Sequence, residues 1–156
     1  MKKTLLIMII FSLLAGCAPK AQASFKAADA SLTISGKTLT PGMTYTDPAL
    51  TGWLDFTELT SCAYKGNDKV YEYADIMVYT YSDGVDDYIL SIEFKGTTET
   101  SKGIRIGSTK AEVLKAYGST YTTKILNVVY TDGQINATFL IVEDKVQAIS
   151  LNYRPQ

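Results

Sequence analysis

The sequence predicts an α+β domain made of two repeats, each a helix followed by an antiparallel β-meander. Three observations carry this. Short runs rich in Tyr, Val, Ile and Thr, separated by turns containing Gly or Asp, fill most of the chain beyond residue 31 and read as strands. One segment, 109–118, carries both a helix start and a helix stop. The order turn, helix, glycine, three strands occurs over 41–94 and again over 103–153, so a single domain at 31–153 divides into repeats at about 31–94 and 103–153.

The elements follow in order. Residues 31–35 alternate briefly, Gly36-Lys37 turns them, and Pro41-Gly42 turns the chain again. Asp47-Pro48 has the form of an N-cap and first helical residue, with Gly52 ending a short helix. Strands are expected at 69–73, 75–81 and 88–94, the last two joined by Ser82-Asp83-Gly84. In 88–94 the alternation puts Tyr88, Leu90, Ile92 and Phe94 on one face and Ile89, Ser91 and Glu93 on the other. A polar connector, 95–103, leads to the helix, where Thr109 and Glu112 form a capping box and Gly118 stands at the C-terminal cap. Val113, Leu114 and Tyr117 make its apolar stripe. Strands resume at 125–131, 134–142 and 146–153, turning at Asp132-Gly133 and at 143–145. Ser91 to Phe94 parallels Ser150 to Tyr153 in position and texture.

Composition narrows the function. The 156 residues carry 15 Lys+Arg against 16 Asp+Glu, which leaves no basic footprint for nucleic acid. There is no histidine, which removes Ser-His-Asp and Cys-His catalysis and any His-ligated zinc site. No P-loop, dinucleotide fingerprint or Gly-x-Ser-x-Gly elbow is present.

The first segment reads as an address. Lys2 and Lys3 precede an apolar run over 5–15, shorter than the ~20 residues of a spanning helix and of the length of a secretory h-region. Leu14-Ala15-Gly16-Cys17 resembles the bacterial lipobox, in which the cysteine thiol is lipidated and the chain is cut before it. The resemblance implies a signal peptide over 1–16, a diacylglyceryl anchor on Cys17, and a flexible tether through residue 30. The mature chain then has 140 residues and a net charge of −3. It is expected outside the cytoplasm, on the outer face of the plasma membrane in a Gram-positive cell. In a Gram-negative cell Ala18 after the cysteine favours the outer membrane.

The stretch from Gly103 to Gly118, with Gly107, Thr109, Glu112 and Val113 between, resembles small Gram-positive surface lipoproteins. More distantly it is similar to the fold shared by β-lactamase inhibitor protein and the SmpA/OmlA outer-membrane-assembly lipoproteins. The segment 59–66 with Asp68-Lys69 and Tyr71-Glu72-Tyr73 looks like the first-repeat signature of the same lipoproteins. That resemblance implies a tandem-repeat fold of the β-lactamase-inhibitor-protein type and leaves the activity open, because members of this shape do unrelated jobs.

Several residues have a chemical and a structural reading. Cys62 is the one thiol left once Cys17 is lipidated; it reads as a redox or acyl-accepting thiol or, with the weight on this side, as a small core residue. Asp83, Asp86 and Asp87 crowd one hairpin, a weak Ca²⁺ candidate that lacks the full loop pattern and also fits a solvated turn. Tyr71, Tyr73, Tyr79, Tyr81 and Tyr88 suit cross-strand packing and equally a binding surface. Trp53 is expected as a core anchor. Together these features predict a non-catalytic protein-binding or adaptor module without cofactor, attached to the membrane by lipid and using a Tyr-rich sheet face on an unidentified protein. The alternative is a small-ligand, cation or glycan-binding lipoprotein.

Overall fold

Alternating apolar residues need a second layer to bury them, and in this chain most of them come together in one sheet. The computed structural model describes residues 24–45 and 50–156. A small hairpin, β1 (Leu32–Ile34) and β2 (Lys37–Leu39), follows a single 3₁₀ turn at Ala27–Asp29. Four strands come next: β3 (Asp55–Thr60), β4 (Asn67–Glu72), β5 (Ile76–Ser82) and β6 (Asp87–Phe94). Helix α1 (Lys110–Tyr117) precedes four more: β7 (Thr122–Lys124), β8 (Asn127–Thr131), β9 (Ile135–Val142) and β10 (Lys145–Tyr153). The last eight strands form one antiparallel sheet in the order β3-β4-β5-β6-β10-β9-β8-β7. Two four-stranded meanders thus meet through their final strands, with Ser91, Ile92 and Glu93 opposite Asn152, Leu151 and Ser150.

This corrects the expected α+β architecture of two helix-plus-meander repeats. The fold is mostly antiparallel sheet, with α1 the one α-helix among the described residues. The helix expected from Asp47 starts outside the described residues, and Leu50 to Gly52 form none. Each meander also has a fourth strand, β3 or β7, that the sequence did not signal. All six residues of β3 and all three of β7 are exposed, so neither carries an apolar alternation.

One face of the sheet is the core. The register runs Tyr71–Val78–Ile92–Leu151–Ala137–Tyr130 straight across six strands, and all six side chains are buried. Val113 and Tyr117 of α1, Leu32 and Leu39 of the hairpin, Tyr45 and Ile104 cover this face. The helix is held as expected: the Thr109 hydroxyl accepts the Glu112 amide at 3.2 Å, and Glu112 accepts the Thr109 amide at 2.6 Å. The bonds from the Thr109 amide and, at 3.0 Å, the Thr109 hydroxyl hold the Glu112 carboxyl below its usual range. Packing begins at Phe25, whose ring lies 6.2–6.3 Å from those of Tyr130 and Tyr117. The last residues assigned to the tether are therefore part of the domain.

The expected faces of 88–94 change halfway along. Thr80 pairs with Ile89 and Tyr79 with Ser91, so Leu90 is the extra residue of a β-bulge. The bulge reverses the alternation, burying Ile89 as well as Ile92 and Phe94 and leaving Leu90 half-exposed.

Buried phenols set an alkaline limit on this core. Tyr130 donates to the Gly118 carbonyl at 2.6 Å, and burial pushes its phenol up to about 12; burial raises Tyr117 as well. An unfolded tyrosine ionises near ~10. The stabilising contribution is therefore complete below that pH and is lost as pH rises through the folded value. Chemical denaturation between about pH 9 and 11 should show falling stability, with a shallower fall in Tyr130→Phe; a flat profile contradicts the buried phenols.

Candidate functional site

The five candidate tyrosines do not share a surface. Tyr71, Tyr73 and Tyr81 are buried at 2 %, 5 % and 8 % exposure: Tyr71 and Tyr73 belong to the core, whereas Tyr81 is covered by the rings of Tyr64, Tyr88 and Tyr153. Tyr73 lies beyond the end of β4, where its hydroxyl is 2.6 Å from that of Tyr45. Tyr79 is on the opposite, open face, where it donates to Glu93 at 3.1 Å; burial and that bond both raise its phenol. Tyr88 is half-exposed and donates to Asp83.

A different tyrosine grouping forms at one end of the sheet. The ring of Tyr81 lies 4.7 Å from that of Tyr64, 5.5 Å from Tyr88 and 6.2 Å from Tyr153, the last two nearly parallel to it. Tyr64, Tyr81 and Tyr153 line an open cleft of about 820 Å³, together with Lys65, Asp83 and Gln134. Tyr64 and Tyr153 were not among the candidates. They lie far apart in sequence, and the β6–β10 junction and the β3–β4 turn bring them together. Two glycines keep the walls close. A Cβ at Gly42 would sit 2.9 Å from the Tyr153 ring, and one at Gly66 would sit 3.0 Å from Ser82; both residues have left-handed φ values.

The three aspartates of the hairpin do not converge on a cation. Asp83 accepts the amides of Val85 and Asp86 at 2.8 and 2.9 Å and the Tyr88 hydroxyl at 3.2 Å. The two amide bonds pull its carboxyl down, with smaller help from Tyr88 and Lys65. Asp87 instead pairs with Lys69 at 2.7 Å, which raises that lysine. Asp83, Asp86 and Asp87 therefore form a turn rather than a ligand set, and among the described residues no three acidic or thiol side chains are grouped to hold a metal.

Cys62 is exposed at the lip of the cleft, which corrects the expectation of a core residue: it falls in the β3–β4 turn and not in a strand. The folded protein should therefore react with a thiol reagent at about the rate of the unfolded chain; protection of more than about tenfold contradicts this placement. Cys17 lies outside the described residues.

The second candidate surface is the edge strand β3. Trp53, Leu54, Phe56 and Leu59 account for four of the eight large apolar side chains exposed among the described residues. Trp53 is thus no core anchor; it reaches only the edge of Tyr71, at 5.9 Å, and remains 39 % exposed. The Ser61 amide bonds to the Gly66 carbonyl, so the odd-numbered residues of β3 face β4. The backbone groups of Phe56, Glu58 and Thr60 then point outward, and the Asp55 carboxylate caps the Phe56 amide at 2.8 Å.

Among the described residues no helix is long and apolar enough to cross a membrane. Comparison with protein-family models, with curated proteins and with solved structures gives no match in any of the three.

Proposed function

We propose that this protein is a membrane-anchored extracytoplasmic lipoprotein acting as a non-catalytic protein-binding module, and that its docking site is the outer edge of β3. The clustering of Phe56 and Leu59 on the edge strand β3 with Trp53 and Leu54 immediately before it carries the reading. Long edge strands with exposed apolar side chains are normally blunted, because they template pairing with another chain. Here the edge keeps outward backbone groups and an apolar surface, the two ingredients of strand addition.

The partner we infer is an extended segment of another protein that carries apolar and basic residues. Asp55 and Glu58 give the strand an acidic character; Lys69 of β4 stands opposite Glu58, while Asp55 stands opposite Glu72, so the acidity is greatest at the Asp55 end. Main-chain bonds to Glu58 and Thr60 supply affinity, while Leu54 and Leu59 supply contact area.

The address is the lipobox reading of residues 14–17. A diacyl anchor holds a domain at a membrane stably where a single chain does not. The proposed location is the outer face of the plasma membrane in a Gram-positive cell, or the outer membrane in a Gram-negative one. The likeness of residues 103–118 to small surface lipoproteins agrees with this address.

Crosslinking of the tethered protein in its native envelope tests the proposal. Links to one protein partner concentrated in residues 53–60 support it, and links confined to other parts of the domain refute it. Cys17→Ala tests the anchor separately: lipid labelling and membrane fractionation should both disappear, and their persistence sinks the lipobox reading.

A further inference from the structure

The cleft around Tyr81 lies at the β3–β4 turn, beyond the end of the β3 edge, and has its own chemistry. We propose that it is a carbohydrate-binding site for an uncharged sugar chain. Three features select that ligand class.

The first is the aromatic lining. Tyr81 forms the floor, 8 % exposed, with the Tyr64 and Tyr153 rings beside it at 4.7 and 6.2 Å. Flat aromatic faces match the flat C–H faces of a pyranose, while the phenol hydroxyls and the Gln134 amide match its hydroxyls.

The second is charge. Lys65 and Asp83 are the charged groups in the lining, of opposite sign and adjacent, since the two residues form a β-bridge. The Asp83 carboxylate already accepts three hydrogen bonds. The two charged side chains of the lining are thus of opposite sign and favour no ion of either charge, and the cleft is too open and polar for a lipid tail.

The third is size and rigidity. A volume of about 820 Å³ exceeds the need of a single sugar ring and falls in the ordinary range for ligand sites. Gly42 against Tyr153 and Gly66 against Ser82 hold the walls before any ligand arrives, which lowers the ordering cost of binding.

An NMR titration of the folded chain with two soluble probes, an N-acetylglucosamine tetramer and maltotetraose, tests this. Saturable shifts on Tyr64, Tyr81 and Tyr153 with at least one probe are expected. Tyr64→Ala and Gln134→Ala should each weaken binding about tenfold. Both sites are on turns, so the circular dichroism spectrum should stay unchanged. Sedimentation with insoluble cell-wall polysaccharide then distinguishes the source: co-sedimentation assigns an envelope polymer, and soluble binding without it assigns a free oligosaccharide. The inference is overturned by no saturable shift up to millimolar sugar, by unchanged affinity in Tyr64→Ala, or by shifts at these tyrosines from a basic extended peptide and not from sugar. Tyr64→Ala leaves β3 intact, so protein crosslinks at residues 53–60 should persist in it whichever way the sugar result falls.

Discussion

Ile92→Ala should lower the stability of the fold by about 2–5 kcal/mol, the largest effect expected from a single core truncation. Ile92 is fully buried and stands near the middle of the sheet, opposite Val78 on one side and Leu151 on the other. It is thus the point where the first meander meets the second. Removing its branched end leaves a cavity between neighbours that are themselves held by strand pairing and cannot close in. Leu140→Ala is the control: Leu140 lies on the open face of β9, half-exposed, and its truncation should cost much less. Denaturant midpoints of the two variants give the answer. A loss below about 1 kcal/mol for Ile92→Ala means that the Tyr71-to-Tyr130 row is not the centre of the core.

The double substitution Leu54→Lys with Leu59→Lys should weaken partner binding by about 100-fold or more while leaving stability nearly unchanged. Leu54 and Leu59 are 71 % and 67 % exposed, so their replacement opens no cavity. Each lysine removes an apolar anchor and places positive charge against the basic segment proposed to dock there. Ile125→Lys is the matched control, since Ile125 is 95 % exposed but sits on the β7–β8 turn. Equal losses in the edge variant and the control contradict an edge-specific site.

Where the sequence carried a local physical signal, the fold followed it. The Thr109–Glu112 capping box and Gly118 bound α1, and the turns at Asp132-Gly133 and Glu143-Asp144 close hairpins, the latter with both residues at left-handed φ. The likeness of Ser91–Phe94 to Ser150–Tyr153 corresponds to two neighbouring central strands. Non-local features were not legible. The strands β3 and β7 have two exposed faces, so period-two burial never appears in them. The bulge at Leu90 is set by the β5–β6 pairing and reverses faces that simple alternation assigned the other way. The tyrosines were the costliest ambiguity, since the same residue type fills the core at Tyr71, lines a cleft at Tyr64 and sits on the open face at Tyr79. Only their register separates these roles. Cys62 was weighed by the burial habit of its residue type, whereas its turn position governs.

Hydrogen exchange at the backbone amides of Glu58 and Thr60, compared between the free protein and the protein bound to its crosslinked partner, tests edge docking most directly. These amides point away from β4 and should exchange quickly in the free domain. Strand addition predicts that both become protected together in the complex, while the exposed Ile125 amide stays fast. Fast exchange at Glu58 and Thr60 in the complex contradicts docking at the β3 edge.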